Sequence, residues 1–246
     1  MTDFLETPQG RRIAYHLTAG KGPVVVFLGG FKSDMGGTKA VHLEAWAKSR
    51  GRAFLRLDYS GHGQSSGEFE EGAIGDWAED AEAAVSALTE GAVLLVGSSM
   101  GGWISLLLAQ RIARVAGFVG IAAAPDFTED SMAAGFSPQQ HDEMERWGRV
   151  VLPSDYGAPY VITRRLIEDG RNHLVLREPL RDIGPVRLLQ GTADEDVDRT
   201  VALRLLDHLT GDVRLTLVRG ADHRFSDPDC LALIEAAIDE VLERMA

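Results

Sequence analysis

Residues 92–105 read AVLLVGSSMGGWIS. The first five are apolar throughout, as expected of a strand buried on both faces of a parallel sheet. From Met100 the pattern turns helical and runs to about Ile112. Between the two stands Gly97-Ser98-Ser99-Met100-Gly101, a Gly/Ser cluster that by itself marks only a turn. The stretch is one βα unit, and the question it raises is whether the rest of the chain repeats it.

It does. Further strands are expected at Arg12–Leu17, Val24–Leu28, Ala53–Leu57, Val115–Ile121, Val186–Gln190 and Val213–Val218. Helical patterns lie at Thr38–Lys48, Ile74–Leu88 and Pro228–Met245. The last has a defined start, with Asp227 as cap and Pro228 in the first turn. Alternating strands and helices predict an α/β fold with a mostly parallel, doubly wound sheet. The rhythm breaks between Pro125 and Pro185, where no strand stands out but helical stretches carry Met144, Trp147, Tyr160, Ile162 and Leu166. Some sixty residues are too many for a plain connection. We read them as a helical lid inserted into a single domain spanning 1–246, with Phe127, Phe136, Met144, Trp147, Tyr156 and Tyr160 as candidates to line an acyl pocket.

Composition bounds the partners. A formal charge of −12 over 246 residues argues against nucleic acid and anionic membrane surfaces. One cysteine, Cys230, excludes an intrachain disulfide and a Cys-built zinc site. No apolar run approaches the roughly 20 residues that span a bilayer, so no stable membrane insertion is expected. The opening MTDFLETPQGRR lacks the apolar core of a signal peptide, and its acidic residues do not fit a transit peptide. A cytoplasmic, bacterial protein is expected.

Strand, G-x-S-x-G, helix is the setting in which a serine hydroxyl is lifted above a sheet edge as a nucleophile, here Ser99, with Ser98 structural. Two later strand ends supply partners. Val186–Gln190 is followed by Gly191-Thr192-Ala193-Asp194-Glu195-Asp196, and Val213–Val218 by Gly220-Ala221-Asp222-His223. The order Ser99, Asp194, His223 gives nucleophile, acid and base, with Asp196 as rival acid and His62 as rival base. His42 and His208 fall in helical patterns, His141 and His173 in the lid, and His16 in an early strand. Two backbone donors for an oxyanion are expected from the N–H groups of Met100 and of Phe31, the latter in Gly29-Gly30-Phe31-Lys32-Ser33. Together these groups specify acyl transfer with no metal or organic cofactor.

With these residues in view, the chain resembles the serine α/β-hydrolases over essentially its full length. Asp58-Tyr59-Ser60-Gly61-His62-Gly63-Gln64-Ser65 is similar to that family's D-x-x-G-x-G-x-S loop. A narrower resemblance lies in FKSDMGGTKA (31–40), LDYSGHG (57–63), GSSMGGW (97–103), RLLQG (187–191) and DHR (222–224). These look like the mitochondrial palmitoyl-protein thioesterase and acyl-glucuronide esterase branch of the α/β-hydrolase domain-containing group. The resemblance implies hydrolysis of S-acyl or O-acyl esters, with a small-molecule ester or thioester or an S-acylated protein as substrate. Two positions depart from the family pattern. Gly29 stands where many members carry a histidine before the oxyanion glycine, and Gln190 stands where histidine is frequent before Gly191. Serine at position 99 argues against epoxide hydrolases and haloalkane dehalogenases, which need a carboxylate there. An aminopeptidase using the same triad, and a non-catalytic binding protein on the same scaffold, are the competing readings.

Overall fold

The computed structural model describes residues 2–153 and 159–245. Among them, eight strands form the central sheet in the order β1-β2-β4-β3-β5-β6-β9-β10. These are β1 (Asp3–Glu6), β2 (Arg12–Thr18), β3 (Lys21–Leu28), β4 (Arg52–Leu57), β5 (Val93–Ser98), β6 (Val115–Ile121), β9 (Val186–Gly191) and β10 (Val213–Val218). β1 and β2 pair antiparallel at one edge, and the six strands from β4 to β10 run parallel. The expected strands all form. β1 has no counterpart in the sequence reading, because DFLE is short and largely exposed and carries no burial pattern.

Helices cover both faces. α1 (Thr38–Ser49) and α7 (Pro228–Arg244) pack on one side, around Leu43, Trp46, Ile234 and Ile238. α2 (Ile74–Leu88), α3 (Met100–Arg111) and α6 (Arg199–His208) pack on the other, around Trp77, Trp103, Leu107 and Leu205. The predicted cap of α7 is present: Asp227 Oδ1 accepts from the N–H groups of Asp229 and Cys230 at 3.0 and 2.9 Å. No helix among the described residues is long and apolar enough to cross a membrane.

The segment between β6 and β9 needs a correction. It is helical in part, with a wide π turn at Thr128–Ala133, α4 (Pro138–Trp147) and α5 (Arg164–Arg171). It also holds an antiparallel pair, β7 (Arg149–Leu152) and β8 (Tyr160–Thr163), where no strand was expected. Strands of four residues with one buried residue each give too little periodic signal to stand out. Asp126, with its carboxylate fully buried, ties the two ends of the segment together. It accepts from the N–H groups of Val175 and Leu176 at 2.8 and 3.0 Å and from Arg177 at 3.1 Å. Of the aromatic candidates, Phe127, Phe136 and Tyr160 are partly buried against the core, while Trp147 is 67% exposed. Tyr156 lies outside the described residues.

Candidate active site

In an open parallel sheet, ligands bind beyond the carboxyl ends of the strands. Ser99 follows β5 directly, with φ 54° and ψ −119°, a strained conformation for a residue bearing a side chain. Its neighbours hold it there. Ser99 N–H donates to the Ile121 carbonyl at 2.9 Å, and its own carbonyl accepts from Gly102 and Ala124. The turn is this tight only because of the flanking glycines. A Cβ at Gly97 would stand 2.5 Å from Ser105 Oγ, and one at Gly101 would overlap the Leu28 carbonyl. Ser98 is buried in the strand end.

Three side chains meet above this turn. Ser99 Oγ lies 3.1 Å from His223 Nε2, and His223 Nδ1 lies 2.9 Å from Asp194 Oδ2. The carboxylate can only accept, so Nδ1 carries the proton and Nε2 is left to accept from the serine hydroxyl. Burial acts to raise the Asp194 pKa. Hydrogen bonds from His223, from the Val197 N–H and from Gln190 outweigh it and hold the carboxyl below its usual range. The carboxylate side chain is wholly shielded from solvent. Asp196, the rival acid, gives its backbone N–H to Asp194 Oδ1 at 3.0 Å. His62, the rival base, faces away from this group: its Nδ1 meets the Ser60 carbonyl and its Nε2 the Lys32 N–H.

The two backbone N–H groups expected as donors lie at the start of α3 and in the turn that follows β3. Met100 begins α3, so its N–H has no partner within the helix. The Phe31 N–H donates to no protein group among the described residues, in a turn closed by Ser33 N–H to the Gly30 carbonyl at 3.1 Å. That turn abuts the serine, since a Cβ on Gly30 would lie 3.3 Å from Ser99 Cβ.

A cleft of about 960 Å³ opens around Ser99 and His223. Its lining combines the apolar side chains of Phe31, Phe127, Met132, Leu152, Tyr160, Leu176 and Val201 with the polar ones of Thr38, Lys39, Arg224 and Ser226. Asp194, Asp196 and His223 also bring possible metal-ligand atoms within 4.8 Å of one another. The Asp194 oxygens are already taken by His223, Gln190, and the N–H groups of Asp196 and Val197. The trio therefore has the character of a hydrogen-bonded acid and not of a cation cage.

Comparison with known proteins adds the family. The model of the alpha/beta hydrolase family matches residues 25–243. The chain belongs to the alpha/beta hydrolase family. The hydrolase is 35% identical over 247 residues to the mitochondrial palmitoyl-protein thioesterase ABHD10 of Rattus norvegicus, covering 99% of this chain and 83% of the rat protein. Its identity to the Homo sapiens protein of the same name is 33% over 250 residues, with 99% and 80% covered. Among solved structures, a putative hydrolase from Agrobacterium vitis S4 superposes with a TM-score of 0.95 at 40% identity, covering 98% of each chain. Mouse alpha/beta hydrolase domain-containing protein 10 superposes at 0.91 with 33% identity, covering 100% of each.

One contributor to the hydrolase's site escapes the sequence reading. Gln190 is noted there only as a departure from the family pattern. Its fully buried Nε2 donates to Asp194 Oδ2 at 2.8 Å, so the side chain orients the acid. The signal was its place one residue before Gly191, at the end of the strand that delivers Asp194.

Proposed function

We propose that this hydrolase cleaves acyl thioesters or oxygen esters through a Ser99–His223–Asp194 triad and an acyl-enzyme. The observation that carries the reading is the continuous chain of contacts from Ser99 Oγ through the imidazole to the Asp194 carboxylate, at 3.1 and 2.9 Å. Ser99 Oγ attacks the carbonyl carbon as His223 Nε2 takes its proton. The oxygen gains negative charge opposite the Phe31 and Met100 N–H groups, and the dipole of α3 favours that charge. Collapse breaks the C–S or C–O bond, and His223 returns the proton to the leaving group. Water, deprotonated by the same nitrogen, then releases the carboxylic acid and restores Ser99. Asp194 holds the imidazole in the required tautomer throughout.

Relatives named palmitoyl-protein thioesterases support an acyl substrate, either a small-molecule ester or thioester or an S-acylated protein. Thiolates and activated alkoxides leave with less help from an acid than an amide nitrogen needs, which favours esters over peptides. The chain is read as a single domain whose residues 125–185 form a lid, with Phe127, Met132, Leu152 and Tyr160 as the acyl wall. A cytoplasmic location stands against relatives named as mitochondrial, and cell fractionation tests it.

A panel of thioesters, acyl glucuronides and plain esters of graded chain length, with aminoacyl anilides beside them, tests the assignment. Burial of each methylene contributes about 0.8 kcal/mol. kcat/KM therefore rises several-fold with each added pair of carbons, and up to about 15-fold where both are fully buried, until the wall is covered, then flattens. An anilide turned over better than every ester and thioester overturns the substrate class. Absence of fluorophosphonate labelling at Ser99 overturns the enzyme and favours a binding protein.

A further inference from the structure

The Phe31 turn lacks the histidine that the family pattern places at position 29, so something else must hold it. The brace comes from the segment after β4, Asp58–His62, which grips residues 29–35 at three points. Tyr59 Oη donates to the Gly29 carbonyl at 3.2 Å, His62 Nε2 accepts from the Lys32 N–H at 3.2 Å, and Asp58 Oδ1 accepts from the Met35 N–H at 2.6 Å. Within the turn, Ser33 N–H holds the Gly30 carbonyl. That carbonyl shares its peptide plane with the Phe31 N–H. Lys32 is the strained member, at φ 59°.

His62 is well placed to act as an acceptor. Its Nδ1 lies 3.1 Å from the Ser60 carbonyl, which requires the proton on Nδ1 and leaves a lone pair on Nε2. The same carbonyl accepts from Trp77 Nε1 at 3.0 Å, and the Ser60 N–H and hydroxyl both donate to buried Asp80 at 2.8 and 2.6 Å. The rings of Phe69 and Trp77 stand edge-on to the imidazole, with centroids at 5.1 Å, and Tyr59 at 5.5 Å. Burial pushes the His62 pKa down to about 4, so the imidazole is neutral at ordinary pH.

We infer that His62 is a positioning residue for the oxyanion turn: by accepting the Lys32 N–H it fixes the peptide next to Phe31, so that the Phe31 N–H stays aimed at the developing charge. The inference rests on Ser99 being the nucleophile. A donor fixed in advance acts on the transition state more than on bound substrate, so its loss falls on kcat.

Two variants separate positioning from packing, assayed with a p-nitrophenyl acyl ester and by thermal melting. His62→Phe keeps an aromatic ring among Tyr59, Phe69 and Trp77 but removes the acceptor. His62→Gln packs less well but offers Oε1 to the Lys32 N–H. Positioning predicts that Phe lowers kcat about 10–100-fold, with KM within about threefold and Tm held. Gln recovers most of that kcat despite a lower Tm. Activity that instead follows stability, with Phe active and Gln impaired, makes His62 a packing residue and overturns the inference, as does a loss confined to KM. Ser99→Ala is run alongside. If it still turns over and still takes a fluorophosphonate label, the nucleophile reading fails and the inference with it. If wild type labels at Ser99 while His62→Phe matches its kcat, only the inference falls.

Discussion

The floor and the roof of the cleft are built to different tolerances. The floor is the line of strand ends carrying Ser99, Asp194 and His223, with the Phe31 turn beside them. Backbone there passes so close that Gly97 and Gly101 have no room for a methyl group. The roof, the described residues among 127–153 and 159–174, is tied at its base by Asp126, and farther out it exposes Trp147 (67%) and Val151 (54%). Under the proposed function, the difference follows from what each part has to do. Attack and proton transfer need atoms set within a few tenths of an ångström, whereas an apolar wall gains from area and tolerates variation in shape.

Removing single groups from each part separates the two roles. Ser99→Ala and His223→Ala should each lower kcat by about 10⁴-fold or more while remaining folded, since members of such a unit fail together. Asp194→Asn should lose about 10²–10⁴-fold through the wrong imidazole tautomer. Asp196→Asn and Ser98→Ala should stay within a few-fold. Tyr160→Ala in the roof should cost about tenfold in kcat/KM for a long acyl chain, from lost aromatic burial, and little for acetate esters. Steady-state kinetics across two chain lengths checks all six. A dead Ser98→Ala would place the nucleophile one residue earlier.

A second contrast uses glycines. A Cβ at Gly101 overlaps the Leu28 carbonyl, and backbone on that side cannot retreat. Gly148 caps α4 at φ 68°, with nothing within 4 Å of an added Cβ. Gly101→Ala should therefore cost about 3 kcal/mol or more, from overpacking of the core, or prevent folding. Gly148→Ala should cost only about 1 kcal/mol, the left-handed strain alone. Chemical denaturation measures both, and equal costs would mean that the floor is no more tightly fitted than the roof.

The same division explains what the sequence discloses. β3, β5 and β6 carry long apolar runs, and β5 to α3 announces itself through VLLVGSSMGG because glycine is required there by contact. That Ser99, Asp194 and His223 meet is legible because each follows a strand end in a topology that gathers such ends together. Within the roof, β7 and β8 are too short to show a period, and α4, with no buried residue, carries only a capping box at Ser137 and Gln140. His62 meets the Lys32 N–H, 30 residues away, through the fold alone, and Gln190 reaches Asp194 through the path of the loop after β9. Neither spacing nor periodicity reports such contacts.

The smallest expected effect compares an ion pair in the body with one in the roof. Glu44 of α1 is buried and pairs with Arg56 at 2.7 Å, with Thr18 and Lys48 also on its carboxylate. Burial alone would raise its pKa, but the hydrogen bonds from Arg56, Lys48 and Thr18 prevail and bring it down to about 2. Glu129 in the roof meets Arg171 at 2.7 Å, with Arg171 exposed and Glu129 partly exposed to solvent. Glu44→Gln should therefore cost about 1–3 kcal/mol at pH 7, as for a hydrogen-bonded buried charge, and Glu129→Gln no more than about 0.5 kcal/mol. The sign with pH follows from linkage. A carboxyl depressed in the folded state stabilises fully above its unfolded pKa of 4.5, and that contribution drains away as pH falls toward 2. Between pH 5 and pH 2 the stability of wild type should thus converge on that of Glu44→Gln, while Glu129→Gln runs parallel to wild type throughout. Urea titrations at pH 7, 5, 4 and 3 read this directly. A gap for Glu44→Gln that stays constant down to pH 3 would show that the residue acts through packing and not through its charge.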